Sequence, residues 1–293
     1  MDKEDLLLET LCDAAEKGNA RLVKHILERQ TGRDLEAFVS MGRTLLALAV
    51  QSKSAETVKA VLDAGAKPDT AVQLTQTPLL LAATEGLVDI ARLLLEKGAS
   101  PDTPDASACF PLSVAACGDT PEMIELLAAH KADMNQKDDC GNTAFMTATC
   151  AGRTKTLHQL KRLGADPDAG DNDGNSPLIR AIEQCGRKVF DELLDMGANT
   201  AQANRLGVTP LIAAAQSGNV HAAAKLISSR VDIATADMAG RTARQHAELN
   251  GCKAIVALID GEAKRLVHLR IEAEMEKGSS VKPMKRLKLR GPS

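Results

Sequence analysis

Large rings are almost missing from this sequence. It has four Phe and neither Trp nor Tyr, so the core has to be assembled from Leu, Ile, Val and Ala. It also lacks any apolar run near the roughly 18 residues that a membrane span requires, and its opening, MDKEDLLLETL, is acidic where an export leader is basic. A non-exported chain without membrane insertion is expected. The seven cysteines (Cys12, Cys109, Cys117, Cys140, Cys150, Cys185 and Cys252) form an odd set without the dense pairing of a secreted disulfide scaffold. They point to a reducing compartment, the cytoplasm first and the nucleus as the alternative.

Sites of catalysis are equally hard to find. No P-loop, dinucleotide fingerprint or G-x-S-x-G elbow occurs. His25, His130, His158, His221, His246 and His268 are scattered, and nothing in the spacing gathers a nucleophile, a base and an orienting group. No enzyme and no cofactor are expected. Metal is not expected either, because C-x2-C and H-x3-H pairs are missing. Cys117 and Cys150 share one column of the repeat described below, but neighbouring helices lie about 8 to 10 Å apart, while zinc ligands stand about 2.3 Å from the ion. The run DNDGN lacks the closing Glu of a calcium loop. Asp138, Asp139, Asp171, Asn172 and Asp173 therefore read as solvated turn residues that tie neighbouring turns together.

What the chain does contain is a period. Steps of 33 from Thr44 land on Thr77, Phe110, Thr143, Ser176, Thr209 and Thr242 without insertion or deletion. Two residues beyond each anchor stand Leu46, Leu79, Leu112, Phe145, Leu178, Leu211 and Arg244; seventeen beyond stand Val61, Leu94, Leu127, Leu160, Leu193, Leu226 and Ile259. Thr or Ser at the anchor caps a helix, and Pro78, Pro111, Pro177 and Pro210 fill the first helical position, where a missing N–H is harmless. Ala pairs such as Ala82-Ala83 leave a narrow flank for close packing. Gly86, Gly152, Gly218 and Gly251 end this first helix; Gly65, Gly98, Gly164 and Gly197 end a second. A polar turn follows. One such helix pair cannot cover its own apolar face, so the units must be piled up.

The stretch TPLLLAATEGLVDIARLLLEKGASPD resembles the ankyrin repeat, and the resemblance runs over roughly residues 5 to 260. It implies an all-α ankyrin-repeat solenoid of helix-turn-helix units joined by β-hairpin-like turns, binding protein partners through turn tips and the concave row of first helices. The His that usually follows Thr-Pro-Leu is absent. On this reading residues 1–38 form an N-terminal capping repeat, 39–236 six consecutive 33-residue repeats, 237–261 a C-terminal capping repeat, 262–278 an amphipathic helix able to fold over the last repeat, and 279–293 a basic flexible tail. The unit opened by Phe110 is the weakest, with Ala108 and Lys131 where other units carry Gly, so softer structure is expected around residues 105 to 137.

The variable positions that the resemblance assigns to partner contact are Asp139, Asn142, Asn172, Asp173, Asn175, Arg180, Glu183, Gln184, Arg205 and Gln216. Arg180 is distinctive in a column otherwise mostly apolar or small; it is either an interface anchor or a solvated partner of Glu183. Net charge is −3, but Lys282, Lys285, Arg286, Lys288 and Arg290 place +5 in residues 281–293, which leaves −8 on the rest. An acidic body favours a neutral or basic partner, and a monomer is expected. The tail is an inert end, a nuclear address, a nucleic-acid contact or an electrostatic dock; without aromatic residues to stack on bases, nucleic acid is not the favoured partner. The leading function is a protein-interaction scaffold. The alternatives are a nuclear or chromatin-associated adaptor using the tail, and a microbial effector binding host proteins.

Overall fold

The computed structural model describes residues 3–29, 35, 39–40, 43–70 and 76–279. The basic tail lies outside them. The chain divides into two compact units, Met1–Leu206 and Gly207–Ser293.

In the first unit, helices come in pairs. They are α1 (Lys3–Glu16) with α2 (Ala20–Glu28), α3 (Leu45–Gln51) with α4 (Ala55–Asp63), α5 (Pro78–Thr84) with α6 (Val88–Glu96), α7 (Pro111–Gly118) with α8 (Pro121–Ala129), and α9 (Ala144–Cys150) with α10 (Thr154–Arg162). The last pair is α11 (Pro177–Arg180), prolonged by a π-helical turn at Ala181–Cys185, with α12 (Arg187–Asp195). First helices pack on first helices, from α1 against α3 through to α9 against α11, and second helices do the same from α2 to α10. A short antiparallel hairpin, β1 (Val39–Ser40) with β2 (Arg43–Thr44), precedes α3.

The second unit repeats the pattern with α13 (Pro210–Ser217) and α14 (Val220–Ser228), then α15 (Ala243–Leu249) and α16 (Lys253–Ser279). Helix α16 runs unbroken through Gly261, across the boundary that the sequence places between a cap and a separate helix. Leu266, Val267, Leu269 and Ile271 on it are exposed, so they do not cover the last repeat.

Local chemistry explains the starts of the first helices from α3 onward. The hydroxyls of Thr44, Thr77, Thr143, Ser176, Thr209 and Thr242 accept from the backbone N–H three residues on, at 3.1 to 3.4 Å. Phe110 cannot accept; there the Ser113 hydroxyl reaches back and accepts from the Phe110 N–H at 3.3 Å, which replaces half of the cap. The two apolar columns form the core. Leu79, Phe145 and Leu178 of the first column are fully buried, as are Val61, Leu94, Leu127, Leu160, Leu193 and Leu226 of the second. Burying each such aliphatic side chain contributes about 1.5 to 3 kcal/mol. In the second unit Arg244 departs from the apolar column and pairs instead with Asp260, Nε to Oδ1 at 2.7 Å.

Left-handed backbone is required at fixed stations. Where the repeat supplies no Gly, Lys53, Ala108, Asp119, Lys131 and Arg230 adopt positive φ of 55 to 65° regardless. Three of these, Ala108, Asp119 and Lys131, fall in the unit opened by Phe110.

Candidate protein-interaction face

The tips of the turns are built from the inside. Asp105, Asp138 and Asp171 hold equivalent places, and each turns one carboxylate oxygen onto the backbone N–H groups two and four residues on, at 2.7 to 3.0 Å. Asn142 donates its amide to Asp138 at 3.1 Å, and Asn175 donates to both oxygens of Asp171 at 3.2 Å. Successive tips are then laced together: the Asn172 N–H donates to the Cys140 carbonyl and the Arg205 N–H to that of Asp173, both at 2.9 Å. The Asn172 amide adds a bond to the Asp139 carbonyl at 2.6 Å. On the far side of each turn Asp69, Asp102, Asn135 and Asp168 accept from a backbone N–H of the next repeat at 2.8 to 3.0 Å. The tips are thus held by backbone and by short polar side chains, which lose little conformational freedom when fixed.

This lacing separates the sequence-predicted contact residues into two sets. Asp139, Asn172, Asp173, Glu183, Gln184 and Arg205 are exposed in the first unit, and Gln216 is exposed in the second. Asn175 is buried, and Asn142 is half-buried with its amide committed inside the turn, so these two serve the scaffold that carries their neighbours.

Arg180 belongs with the scaffold too. It does not reach freely into solvent, and its ion pair with Glu183, Nη1 to Oε2 at 3.8 Å, is the looser of its two. Its Nε and Nη2 donate to Oδ2 of Asp171 at 3.0 and 2.5 Å. Burial alone would push the Asp171 carboxyl up, but the bonds from Arg180 and Asn175 outweigh it and hold the group below its ordinary value. The second unit places His246 in the column of Arg180 and Asp237 in that of Asp171, with Nε2 and Oδ2 2.7 Å apart. Sequence reasoning missed both pairs.

A second feature was also missed. Nine residues beyond the anchor stand Lys53, Gly86, Asp119, Gly152, Gly218 and Gly251, every one at positive φ. The sixth unit puts Cys185 there, and its Gly186 comes one residue late. Cys185 does not take the left-handed conformation; the helix widens into the π turn, and Gly186 takes φ 82° instead. This leaves Cys185 half-buried, with its sulfur 3.5 Å from the Arg180 carbonyl oxygen, on a turn that packs against α9, whose last residue is the exposed Cys150. The Cys185 thiol, aided by the Arg180 guanidinium, brings Cys150 down to about 7 against the opposing effects of burial and Asp171.

Paired helices, capped at 33-residue intervals and bridged by laced turns, define a helical-repeat module that presents exposed side chains on a fixed frame. The family model for ankyrin repeats in three copies matches residues 11–105 and 112–204, and the chain belongs to the ankyrin repeat family. The ankyrin repeat domain of Bcl-3, a unique member of the IkappaB protein family, is similar with a TM-score of 0.64 and 25% identity, over 69% of this chain and 92% of that one. The human ASB11 ankyrin repeat domain is similar with a TM-score of 0.59 and 26% identity, over 69% and 89%. A comparison with curated proteins gave no match. Ankyrin repeats are protein-protein interaction modules and generally not enzymes. Among the described residues no helix is long and apolar enough to cross a membrane.

Proposed function

We propose that the protein is a non-enzymatic scaffold that binds a protein partner through its turn tips and first-helix ends. The observation that carries this reading is the contrast within one surface: Asp138, Asp171, Asn142 and Asn175 are spent on fixing the turns, while Asp139, Asp173, Glu183, Gln184 and Arg205 stand exposed on the frame so made. A turn backbone already held in place loses little entropy on association. Three of these five are acidic, which, with the −8 carried outside the tail, favours a neutral or basic partner and an affinity that falls as salt rises. The protein acts as a monomer in the cytoplasm, and the basic residues Lys282 to Arg290 are its route to the nucleus if it has one.

A capture experiment with the intact chain tests this reading. Reversing Asp139, Asp173 and Glu183 to Lys should abolish capture of a specific partner at low salt without changing thermal stability. Undiminished capture would remove this face from consideration. Deleting residues 281–293 should leave the captured partner unchanged.

A further inference from the structure

We propose a second interaction surface, opposite in charge to the first: Arg153, Lys155, Arg187 and Lys188, at the starts of α10 and α12, bind a short acidic segment of a partner protein. This surface stands apart from the binding reading above and does not need it.

The four residues belong to one place. Helices α10 and α12 lie side by side, joined by a hydrogen bond between His158 and Glu192, Nε2 to Oε1 at 2.5 Å, and by Lys161, whose ammonium donates to the Met196 carbonyl. Their starts meet as well, since a Cβ on Gly152 would stand 4.0 Å from Cγ2 of Val189. This register sets Arg153 and Lys155 of one repeat beside Arg187 and Lys188 of the next. All four are exposed. They lie where the first helices end, two helical turns, about 11 Å, from the turn tips.

Helix energetics does not account for these charges. Backbone amides at a helix start carry partial positive charge, so the first turn favours acids and disfavours cations. The earlier repeats follow that rule, with Glu56, Asp89 and Glu122 at the second position of α4, α6 and α8. The next two break it, with Lys155 and Lys188 at the same position of α10 and α12, and Arg187 opens α12. No acid of the chain compensates. Among the described residues Lys155, Arg187 and Lys188 make no ion pair and no side-chain hydrogen bond, and α10 contains no acid. Arg153 is held in place by its Nε, which donates to the Cys117 carbonyl at 3.0 Å. Cations set against the local field, unpaired and gathered from two repeats, gain most from an anion supplied by another molecule.

The extent of the patch selects that molecule. One repeat back the second helix carries Glu122 and Glu125, and further along α12 stand Asp191, Glu192 and Asp195. A nucleic acid bears charge continuously along its length and would run onto these acids. Stacking on bases is also missing, because the chain has no Trp or Tyr and Phe110, Phe145 and Phe190 are fully buried. Neither α10 nor α12 exposes a large apolar side chain that could enter a lipid surface. A few carboxylates on a short protein segment match four cations spread over two repeats.

The test follows the fluorescence anisotropy of a labelled hexaglutamate peptide titrated with the full-length protein at low salt. Binding is expected, and it should weaken as salt rises. Replacing the three unpaired cations together, Lys155→Gln, Arg187→Gln and Lys188→Gln, should weaken it about 5-fold, and reversing them to Glu about 30-fold. Because acids suit these helix starts, the Glu variant should melt no lower than the parent, so lost binding is not lost folding. Deleting residues 281–293 should leave binding in place. Absence of binding by the parent, equal binding by both variants, or loss of binding on removal of the tail overturns the proposal. So does a DNA duplex or a phosphatidylserine vesicle that binds the parent more tightly than the peptide and is released by the same reversal.

Discussion

Arg180 and Asp171 stand nine residues apart and share one carboxylate oxygen between two guanidinium nitrogens, at the base of a turn whose tip faces solvent. The carboxylate side chain is 3% exposed and the guanidinium side chain 27%. Removing one partner of a buried pair costs about 3 to 5 kcal/mol, and the exposure of Arg180 reduces that. Arg180→Ala should destabilise the protein by about 2 kcal/mol. Asp171→Ala, which also strips the turn of its bonds to Asp173 and Asn175, should cost about 3 kcal/mol. Urea unfolding measures both, and equal stability of Arg180→Ala and the parent would show that the pair contributes nothing.

Acid should expose the same pair. The folded-state value of Asp171 lies below the ordinary one, so the folded chain holds the carboxylate charged at a pH where the unfolded chain has begun to take up protons. Its stabilisation is complete above the unfolded value of about 3.9 and is lost as the pH falls through the folded value. The fall in urea midpoint between pH 5 and pH 3 should be shallower in Asp171→Asn than in the parent; identical slopes would contradict the assignment.

Two glycines separate strain from crowding. Gly164, at φ 99°, has open space where a Cβ would go, while Gly141, at φ 82°, would place a Cβ 2.5 Å from the Asn172 nitrogen. Gly164→Ala should cost about 1 kcal/mol of backbone strain. Gly141→Ala should cost about 2 to 4 kcal/mol, because the laced tips must also move apart. Comparing their melting temperatures checks the ranking.

The unit opened by Phe110 carries three of the five non-Gly residues at positive φ, Ala108, Asp119 and Lys131. Lys131→Gly, at φ 65° on the surface, should raise stability by about 0.5 to 1 kcal/mol once the greater freedom of Gly in the unfolded chain is subtracted. Amide exchange across residues 105 to 137 should be faster than across the following repeat, and should slow in the variant.

Much of this architecture is legible in the sequence because burial imposes it at a fixed interval. Leu79, Leu94 and their equivalents recur every 33 residues, and the anchors beside them need a cap or a substitute such as Ser113. The site was less legible. Asp171 looks like any solvated turn acid until the backbone brings it under Arg180, and Asn175 looks like a tip residue until its amide folds inward. Neither is a matter of local pattern. The Cys185 turn did leave a trace: Gly86, Gly152, Gly218 and Gly251 share a column from which Gly186 is displaced by one. That displacement marks the widened helix, but the missing glycine does not dictate it, since Lys53 and Asp119 take the left-handed turn in the same column.

The most direct test of the interaction surface is amide hydrogen exchange on the captured complex. Protection gained on binding should concentrate at residues 139–142, 172–175, 180–184 and 205, with the second helices α8, α10 and α12 little changed. Protection confined to those second helices, or to residues beyond 279, would contradict the assignment of the partner surface to the tips and first-helix ends.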